Sequence, residues 1–298
     1  MATSIPTPEG HQPRVWTPVD LVRWTAGYLT ERGVPEARLT AELLLAGTLA
    51  VRRLDLYLQF DRPLTGEELA LFKARLKRRL AHEPLQYIEG LAYFRDLRLQ
   101  VDRRVLVPRP ETEVLVGEVL AWAKGRSDCD VVDIGTGSGA IALSLAVEGS
   151  FRRIVATDIS PDALNVARAN AELVGGATMV EFRSGSIFEP VVGERFDVIV
   201  SNPPYIGISE RADLPPEVVD WEPAPALFGG DDGLAVISEI VRAGSDHLKA
   251  GGLLAIEIGS RQGEVVAAMV RSNADLTDPV ILPDLTGRDR LVRAQRRE

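Results

Sequence analysis

Cysteine, histidine and methionine are scarce in this chain of 298 residues, which has one cysteine, three histidines and three methionines. The single cysteine, Cys129, excludes an internal disulfide and is typical of a reducing compartment. The histidines, His11, His82 and His247, do not lie at metal-ligand spacing with one another or with the cysteine. The sequence therefore predicts no bound metal.

Long hydrophobic runs are also missing, so the sequence predicts no membrane span. The first fifteen residues are polar and rich in proline, without the apolar core of a signal peptide. We expect a short disordered N-terminus over residues 1–15. Together with the ordinary 45% content of hydrophobic residues, these features predict a soluble cytoplasmic protein.

Positive charge is not in excess, because the net charge is −9. This excludes non-specific attraction to nucleic acid over the whole surface. One basic run is present on the polar side of a predicted helix, at Lys73, Arg75, Lys77, Arg78 and Arg79. Such a run is usually a solvated helix face, and the alternative is a contact surface for a partner, including one bound to RNA.

Residues 1–89 show helical patterns only, and we expect a small helical domain here. Thr17-Pro18-Val19-Asp20 is typical of a helix start, and a second helix is predicted from Glu36 to about Ala50. Thr65 begins a further helix that Pro84 ends. Its apolar stripe consists of Leu69, Phe72, Leu76 and Leu80.

A β-hairpin linker is predicted over residues 90–107. Leu97, Leu99 and Val101 alternate with polar residues, as in a strand with one buried face. The partner strand is expected at Val105 and Val107.

From residue 108 to 298, helix and strand patterns alternate, which predicts an α/β domain with a mainly parallel sheet. An antiparallel pair is expected at its edge, from 280–282 and 290–292. The predicted strands are 129–134, 154–157, 196–201 and 252–258, and the predicted helices are 114–124, 161–174 and 234–249.

A glycine-rich turn follows the first of these strands, at Gly135-Thr136-Gly137-Ser138-Gly139, and a helix begins at Ala140. Glycines allow close approach of a ligand, and the helix N-terminus offers unpaired donors. The loop alone is also compatible with a dinucleotide such as NAD.

Two carboxylates favour S-adenosyl-L-methionine over NAD as the ligand. Asp158 ends the next strand, where it can accept from both ribose hydroxyls. The alternative for Asp158 is a contribution to the helix start at Ser160-Pro161. Asp133 precedes the glycines and is placed to organise the loop or to bind the methionyl ammonium group. Hydride transfer would require an acid or base and a nicotinamide pocket, and no such signature is found.

Asn202-Pro203-Pro204-Tyr205 follows the buried strand 196–201. The prolines end the strand, because neither can donate a ladder hydrogen bond. The Asn202 side-chain oxygen and nearby main-chain carbonyls can then accept from a substrate NH2 group, beside the planar face of Tyr205. This pattern predicts a site for a planar amino group, and a simple strand-ending turn is the alternative.

Taken together, these segments resemble the release factor glutamine methyltransferase family (the PrmC/HemK proteins) over nearly the whole chain. Asn-Pro-Pro-Tyr alone is shared with adenine and cytosine amino methyltransferases. Its combination with the segment Pro108-Arg109-Pro110 is more specific. The segments that carry the resemblance are 84–90, 107–113, 133–146, 201–206, 222–227, 229–234 and 257–259.

The resemblance implies a Rossmann-like class I methyltransferase sheet that follows a helical substrate-recognition domain. It implies N5-methylation of the glutamine in the Gly-Gly-Gln loop of peptide chain release factors. Ser186 would lie near adenine, although relatives often carry an acidic residue where this chain has Gly185. The expected cofactor residues are Asp133, Gly135, Thr136, Gly137, Ser138, Gly139, Asp158, Ser186 and Asn202, and the substrate residues are Asn202, Pro203, Pro204 and Tyr205.

An amide nitrogen is a poor nucleophile, so we expect catalysis by orientation, with Asn202 and Pro203 as the catalytic residues. Their oxygens would accept the two N–H bonds of the glutamine and stabilise positive charge that develops on nitrogen. No strong general base is expected. Glu111 and Thr112 either begin a helix or belong to the site, and are not counted as catalytic.

Two other functions remain open on the sequence. An amino methyltransferase of nucleic acid would need a basic surface and a groove-reading element, which an acidic chain with a small helical domain does not favour. A non-catalytic binding module would not need both an intact glycine loop and an intact Asn-Pro-Pro-Tyr.

Overall fold

The computed structural model describes residues 15–175 and 180–298. The N-terminal segment that we predicted to be disordered lies outside the described residues, except for Val15. One compact unit ends at Glu89, and a second begins at Gly90.

The first unit is helical, and its helix starts follow the sequence signals. The Thr17 hydroxyl accepts from the Asp20 N–H at 3.3 Å, and Thr65 and Glu68 form a complete capping box. Phe72 and Leu76 are buried in the core of the unit, which confirms the predicted apolar stripe. The helices are α1 (Pro18–Thr30), α2 (Ala37–Leu49), α3 (Asp55–Leu58), α4 (Gly66–Leu80) and α5 (Leu85–Glu89).

The basic run on α4 is less available than the sequence indicated. Arg75 pairs with Glu89 at 2.8 Å, and Arg78 pairs with Glu83 at 2.6 Å. Arg79 is buried and donates to the Glu83 carbonyl. The lysines of the run, Lys73 and Lys77, are exposed, so they form most of the basic face that is open to solvent.

The second unit opens with a hairpin of β1 (Leu91–Phe94) and β2 (Leu97–Gln100), which pair antiparallel. The predicted partner of β2, at Val105 and Val107, is therefore wrong. Val107 is buried, but its N–H donates to the Glu222 side chain at 3.2 Å instead of to a strand. The true partner is a four-residue strand, which is too short to show a clear alternation.

A seven-stranded sheet and its helices form the rest of the unit. The strands are β3 (Cys129–Ile134), β4 (Phe151–Asp158), β5 (Val180–Ser184), β6 (Phe196–Ser201), β7 (Leu248–Glu257), β8 (Val280–Pro283) and β9 (Asp289–Gln295). Their order is β5-β4-β3-β6-β7-β9-β8, and β9 pairs antiparallel with β7 and β8. This confirms the predicted parallel sheet and its antiparallel edge, whereas β5 was not predicted. The helices are α6 (Thr112–Ala123), α7 (Ala140–Glu148), α8 (Pro161–Val174), α9 (Pro216–Val219), α10 (Ala224–Leu227), α11 (Ala235–His247) and α12 (Gly263–Ser272).

Helices cover both faces of the sheet. Alternate residues of the central strands face α6 and α7 on one side and α11 and α12 on the other, which produces two hydrophobic clusters. Within the described residues, no helix has both the length and the hydropathy to cross a bilayer.

The register of the strands brings the predicted site segments to one edge. Asp133 lies opposite Ala156 of β4 and Val200 of β6, and Ile134 lies opposite Thr157 and Ser201. The chain therefore leaves β3, β4 and β6 at the same level, and the carboxyl edge of the sheet is where ligands of such folds bind.

Candidate active site

The glycine-rich turn after β3 has a backbone that requires glycine. Gly135, Gly137 and Gly139 have φ angles of +74°, +56° and +84°, in the left-handed region that other residues avoid. The N–H groups of Gly135 and Thr136 both donate to the Thr157 carbonyl at 2.9 Å. These bonds fix the turn to β4 and place it ahead of the N-terminus of α7.

Asp133 lies beneath this turn and is fully buried. Its Oδ2 accepts from the Thr136 hydroxyl at 2.6 Å and from the Ala142 N–H at 3.2 Å. Its Oδ1 is buried and has no hydrogen-bond partner within the described parts of the chain. Burial raises the pKa of this carboxyl group to about 7. The site thus holds an unpaired acceptor that a cationic or N–H ligand would satisfy.

Asp158 connects the end of β4 to the glycine turn. Its Oδ2 accepts from the Gly137 N–H, and its Oδ1 accepts from the Ser160 N–H, both at 2.9 Å. Burial raises its pKa. The cap of α8 is the Ser160 hydroxyl, which accepts from the Ala163 N–H at 3.2 Å. Asp158 therefore supports the turn, and each of its oxygens keeps a second lone pair for a ligand hydroxyl.

Position 185 requires glycine because Pro190 lies close to it. The φ of Gly185 is +154°, and a Cβ placed on it would lie 2.6 Å from Pro190 Cγ. The acidic residue that the resemblance suggests for this position would not fit here without a shift of the proline. The Ser186 N–H donates to Glu189 Oε2 at 3.0 Å. A contact between Ser186 and adenine stays a prediction.

Asn202 and Pro203 present oxygen acceptors at the end of β6. The Ser201 hydroxyl donates to the Ile134 carbonyl at 2.7 Å, which ties the strand end to β3. The Asn202 side-chain nitrogen donates to the Thr112 hydroxyl at 3.0 Å. Among the residues that the structure describes, no donor is hydrogen-bonded to Asn202 Oδ1 or to the Pro203 carbonyl. Two acceptors are therefore open on adjacent residues.

Residues 229–233 and the Gln262 side chain hold the backbone of the loop after β6 in place. A Cβ on Gly229 would lie 2.2 Å from the Pro204 oxygen, and one on Gly233 would lie 2.1 Å from the Tyr205 oxygen. The Gln262 side chain donates to the Tyr205 carbonyl at 2.9 Å. Only glycine at positions 229 and 233 allows this segment to approach the Pro204 and Tyr205 carbonyls so closely.

The side chain of Tyr205 is fixed at its hydroxyl by two polar contacts. Its hydroxyl lies 3.4 Å from Glu257 Oε1 and 3.4 Å from Arg290 Nη1. Burial, with the nearby Glu257 carboxylate, raises the pKa of Tyr205, so the phenol stays protonated and acts as a donor. Glu257 ends β7 and is 1% exposed, and burial raises its pKa to about 7.

Buried Glu222 fixes the Pro108-Arg109-Pro110 segment. Its carboxylate accepts from the Val107 N–H and forms an ion pair with the Arg109 guanidinium. The next helix, α6, begins at Thr112, so this clamp also places the Thr112 hydroxyl against Asn202.

Sequence reasoning missed Glu257 as a site residue and left Thr112 undecided. The side chain of Glu111 does not cap α6, and the Thr112 hydroxyl faces Asn202. A signal for Glu257 was present, because an acidic residue ends a buried strand there. Asp158 ends β4 in the same way, and Asp133 stands one residue before the end of β3. Among the described residues, no group of three or more His, Cys, Asp or Glu side chains could hold a metal ion.

Comparisons with known proteins match both units of the chain. Residues 20–90 match the family described as PrmC N-terminal domain, and residues 112–214 match the methyltransferase small domain. A release factor glutamine methyltransferase of Geobacter sulfurreducens is 43% identical over 281 residues, which are 94% of this chain and 97% of that protein. One of Cereibacter sphaeroides is 43% identical over 276 residues, which are 93% and 97% of the two chains.

A crystal structure of a methyltransferase from Pyrococcus furiosus shares the fold. Its TM-score is 0.51 at 21% identity, and the match covers 75% of this chain and 96% of that one. This similarity supports the assignment of the sheet and its helices.

Proposed function

The chain belongs to the release factor glutamine methyltransferase family, and from this we propose that it methylates N5 of the glutamine side chain in the Gly-Gly-Gln loop of peptide chain release factors. We propose S-adenosylmethionine as the methyl donor. Action on these translation factors would place the enzyme in the cytoplasm.

The proposed cofactor fits the residues after β3 and β4. The unpaired Asp133 Oδ1 is an acceptor for an ammonium group, either directly or through a water molecule. The remaining lone pairs of Asp158 suit a pair of ribose hydroxyls, and the glycine turn allows the methionyl part to approach the backbone. When bound, S-adenosylmethionine supplies an electrophilic methyl group on a sulfonium.

The observation that carries the proposed substrate is the pair of open acceptors on Asn202 and Pro203. A primary amide has two N–H bonds, and the two oxygens can accept one each. The amide plane would then be fixed, and the nitrogen lone pair would be aimed along one direction. Orientation of this kind can contribute about 7–11 kcal/mol to lowering a barrier.

The same oxygens stabilise positive charge as it develops on the nitrogen. The nitrogen then loses a proton to water without help from a strong base, because an N-protonated amide is a strong acid. Tyr205 is a protonated donor here, and its hydroxyl is held by Glu257 and Arg290. We assign it the role of a flat wall for the amide.

Recognition of the release factor is assigned to the helical unit that ends at Glu89. Lys73 and Lys77 are exposed on α4, whereas its arginines are occupied within the unit. Reversal of both lysines to glutamate should raise the KM for the release factor and leave cofactor binding unchanged. An unchanged KM would contradict this assignment.

The function is tested by transfer of label from methyl-labelled S-adenosylmethionine, with a purified release factor and bare DNA offered in parallel. Label on the release factor that is lost when the glutamine of its Gly-Gly-Gln loop is replaced supports the proposal. Label on DNA alone would support methyltransferase activity but contradict the proposed substrate.

A further inference from the structure

We propose that Arg109 and Glu222 are positioning residues, which hold the start of α6 where its Thr112 hydroxyl supports the Asn202 carboxamide. This inference rests on the proposed function, because it concerns the acceptor that the glutamine NH2 group of the release factor would require. Neither Arg109 nor Glu222 needs to touch the substrate. Both act through the backbone that leads into α6.

The ion pair between Arg109 and Glu222 joins two segments that are distant in the chain. Glu222 is buried, and its carboxylate accepts from the Val107 N–H at 3.2 Å and from the Arg109 guanidinium. A buried carboxylate is costly unless it is paired and hydrogen-bonded. The pair therefore fixes residues 107–109 against the loop that contains Glu222.

Backbone hydrogen bonds connect Arg109 to the first turn of α6. The Arg109 carbonyl accepts from the Thr112 N–H at 3.1 Å, and the Pro110 carbonyl accepts from the Glu113 N–H at 3.1 Å. Pro108 and Pro110 restrict the backbone on either side of Arg109, because the proline ring fixes φ. Arg109 and Thr112 thus belong to one stiff turn, and a shift of Arg109 would move Thr112.

The Thr112 hydroxyl in turn fixes the Asn202 carboxamide. It is buried, and it accepts from Asn202 Nδ2 at 3.0 Å. An asparagine side chain has a nitrogen that donates and an oxygen that accepts, and this bond occupies the nitrogen. Asn202 Oδ1 therefore stays available as the acceptor that a substrate NH2 group needs.

The loop that contains Glu222 begins and ends beside the Asn-Pro-Pro-Tyr segment. The Ile206 N–H donates to the Leu227 carbonyl, and the Ile206 carbonyl accepts from the Gly229 N–H, both at 3.0 Å. These bonds close the loop at its base, and Glu222 lies on its returning part. Such a closed arrangement holds the acceptor in place before substrate binds. The contacts form a ring through Asn202, Glu222, Arg109 and Thr112.

The first test is Arg109→Met, with Arg109→Lys as its conservative variant. Methionine removes the charge, so residues 107–109 lose their attachment to Glu222. We expect kcat to fall about 10- to 100-fold, since a misplacement of about 1 Å can cost about 10²-fold in rate, and cofactor affinity to stay unchanged. Arg109→Lys retains the cation and should retain most of the activity. A native kcat in Arg109→Met would overturn the proposal.

Arg152→Met is the matched control, because Arg152 also pairs with a buried carboxylate, that of Asp130. This pair lies at the first residues of β3 and β4, at the opposite edge of the sheet from the site. Both variants should lose stability, which thermal unfolding measures, and only Arg109→Met should lose turnover. An equal loss of kcat in both variants would indicate general destabilisation and would overturn the proposal.

A double-mutant cycle tests whether Arg109 acts through Asn202. If it does, the variant Arg109→Met/Asn202→Ala turns over no more slowly than Asn202→Ala alone. Losses that multiply would contradict the positioning role. If Arg109→Met does not fold, Glu222→Gln takes its place in these tests, because it removes the ion pair with the smallest change in shape.

A spectroscopic test does not depend on the substrate. In protein labelled with nitrogen-15, the side-chain NH2 signals of Asn202 are assigned by their loss in Asn202→Asp. We expect Arg109→Met and Thr112→Val to shift these signals in the same direction, and Arg152→Met to leave them unchanged. If the native enzyme does not methylate release factors, the proposed function fails, and these shifts still decide the inference. Signals at their native positions in Arg109→Met would overturn it.

Discussion

The side-chain nitrogen of Asn202 lies 3.0 Å from the Thr112 hydroxyl, although 90 residues separate them in the chain. Asn202 follows β6, and Thr112 begins α6 beyond the Pro-Arg-Pro segment that Glu222 holds. The contact leaves the Asn202 oxygen open beside the open Pro203 carbonyl. The proposed chemistry depends on this geometry, and each part of it can be tested separately.

Asn202→Ala should lower turnover about 10²- to 10³-fold, as expected when one preorganised polar group is lost. Cofactor binding should change much less, because the glycine turn and Asp158 stay in place. Steady-state kinetics with calorimetric cofactor titration measures both. Asn165→Ala, at an exposed asparagine on α8, is the control, and near-normal turnover in Asn202→Ala would exclude the assigned role.

Asp158→Asn should weaken S-adenosylmethionine binding about 10- to 100-fold, because hydrogen bonds to a charged group are replaced by neutral ones. Calorimetric titration gives the dissociation constant. The matched variant is Asp162→Asn, an exposed carboxylate in the first turn of α8. Equal affinity in both variants would remove Asp158 from the cofactor site.

Gly233→Ala should lower turnover, because the new Cβ would displace the Tyr205 carbonyl that lies 2.1 Å away. A misplacement of about 1 Å in an active site can cost about 10²-fold in rate. Gly193→Ala is the control, since Gly193 has a similar φ of +79° and nothing within 4 Å of a Cβ.

Both of these glycine variants should lose about 1–2 kcal/mol of stability from left-handed backbone strain. Only Gly233→Ala should lose activity. Thermal unfolding and kinetics on the same samples distinguish the two effects, and equal activity in both would contradict the proposed support of the loop.

The stability of the protein without cofactor should fall as the pH rises from about 4 to about 7. Burial raises the pKa of Asp133 to about 7, above its value in an unfolded chain. Between these two values the folded state binds more protons than the unfolded state, so the free energy of unfolding decreases with pH and then levels off. Over this range the contribution of Asp133 to the free energy of unfolding falls by about 4 kcal/mol, at 1.36 kcal/mol for each unit by which its pKa is raised.

Asp133→Asn should remove about half of this slope, because Glu257, whose pKa burial also raises to about 7, contributes a slope of the same sign. Chemical unfolding at several pH values measures it. A slope as steep as that of the native protein would show that Asp133 is not a buried proton acceptor.

Except for β5, the strands of the sheet could be predicted from the sequence, as could the cofactor loop, because their signals are local. Val131 to Ile134 form an apolar run that ends in glycines, and Thr65 with Glu68 gives a capping box within four residues. The short strand β1 was missed, since four residues cannot show a clear period, and its hairpin was paired with the wrong segment.

The site residues that were missed depend on contacts between distant parts of the chain. Neither the Thr112 hydroxyl near Asn202 nor the Glu257 carboxylate near Tyr205 follows from spacing. The start of α6, the loop after β6 and the end of β7 must come together before these side chains meet. Similarly, Arg75 and Arg78 looked like a free basic face until the structure showed their glutamate partners.

The most direct test of the central claim is to locate the transferred methyl group by mass spectrometry. A release factor is incubated with the enzyme and S-adenosylmethionine, and its Gly-Gly-Gln peptide is fragmented. We expect one added methyl on the glutamine side-chain nitrogen with the native enzyme, and far less with Asn202→Ala. A methyl group on another residue, or equal modification by both enzymes, would contradict the account.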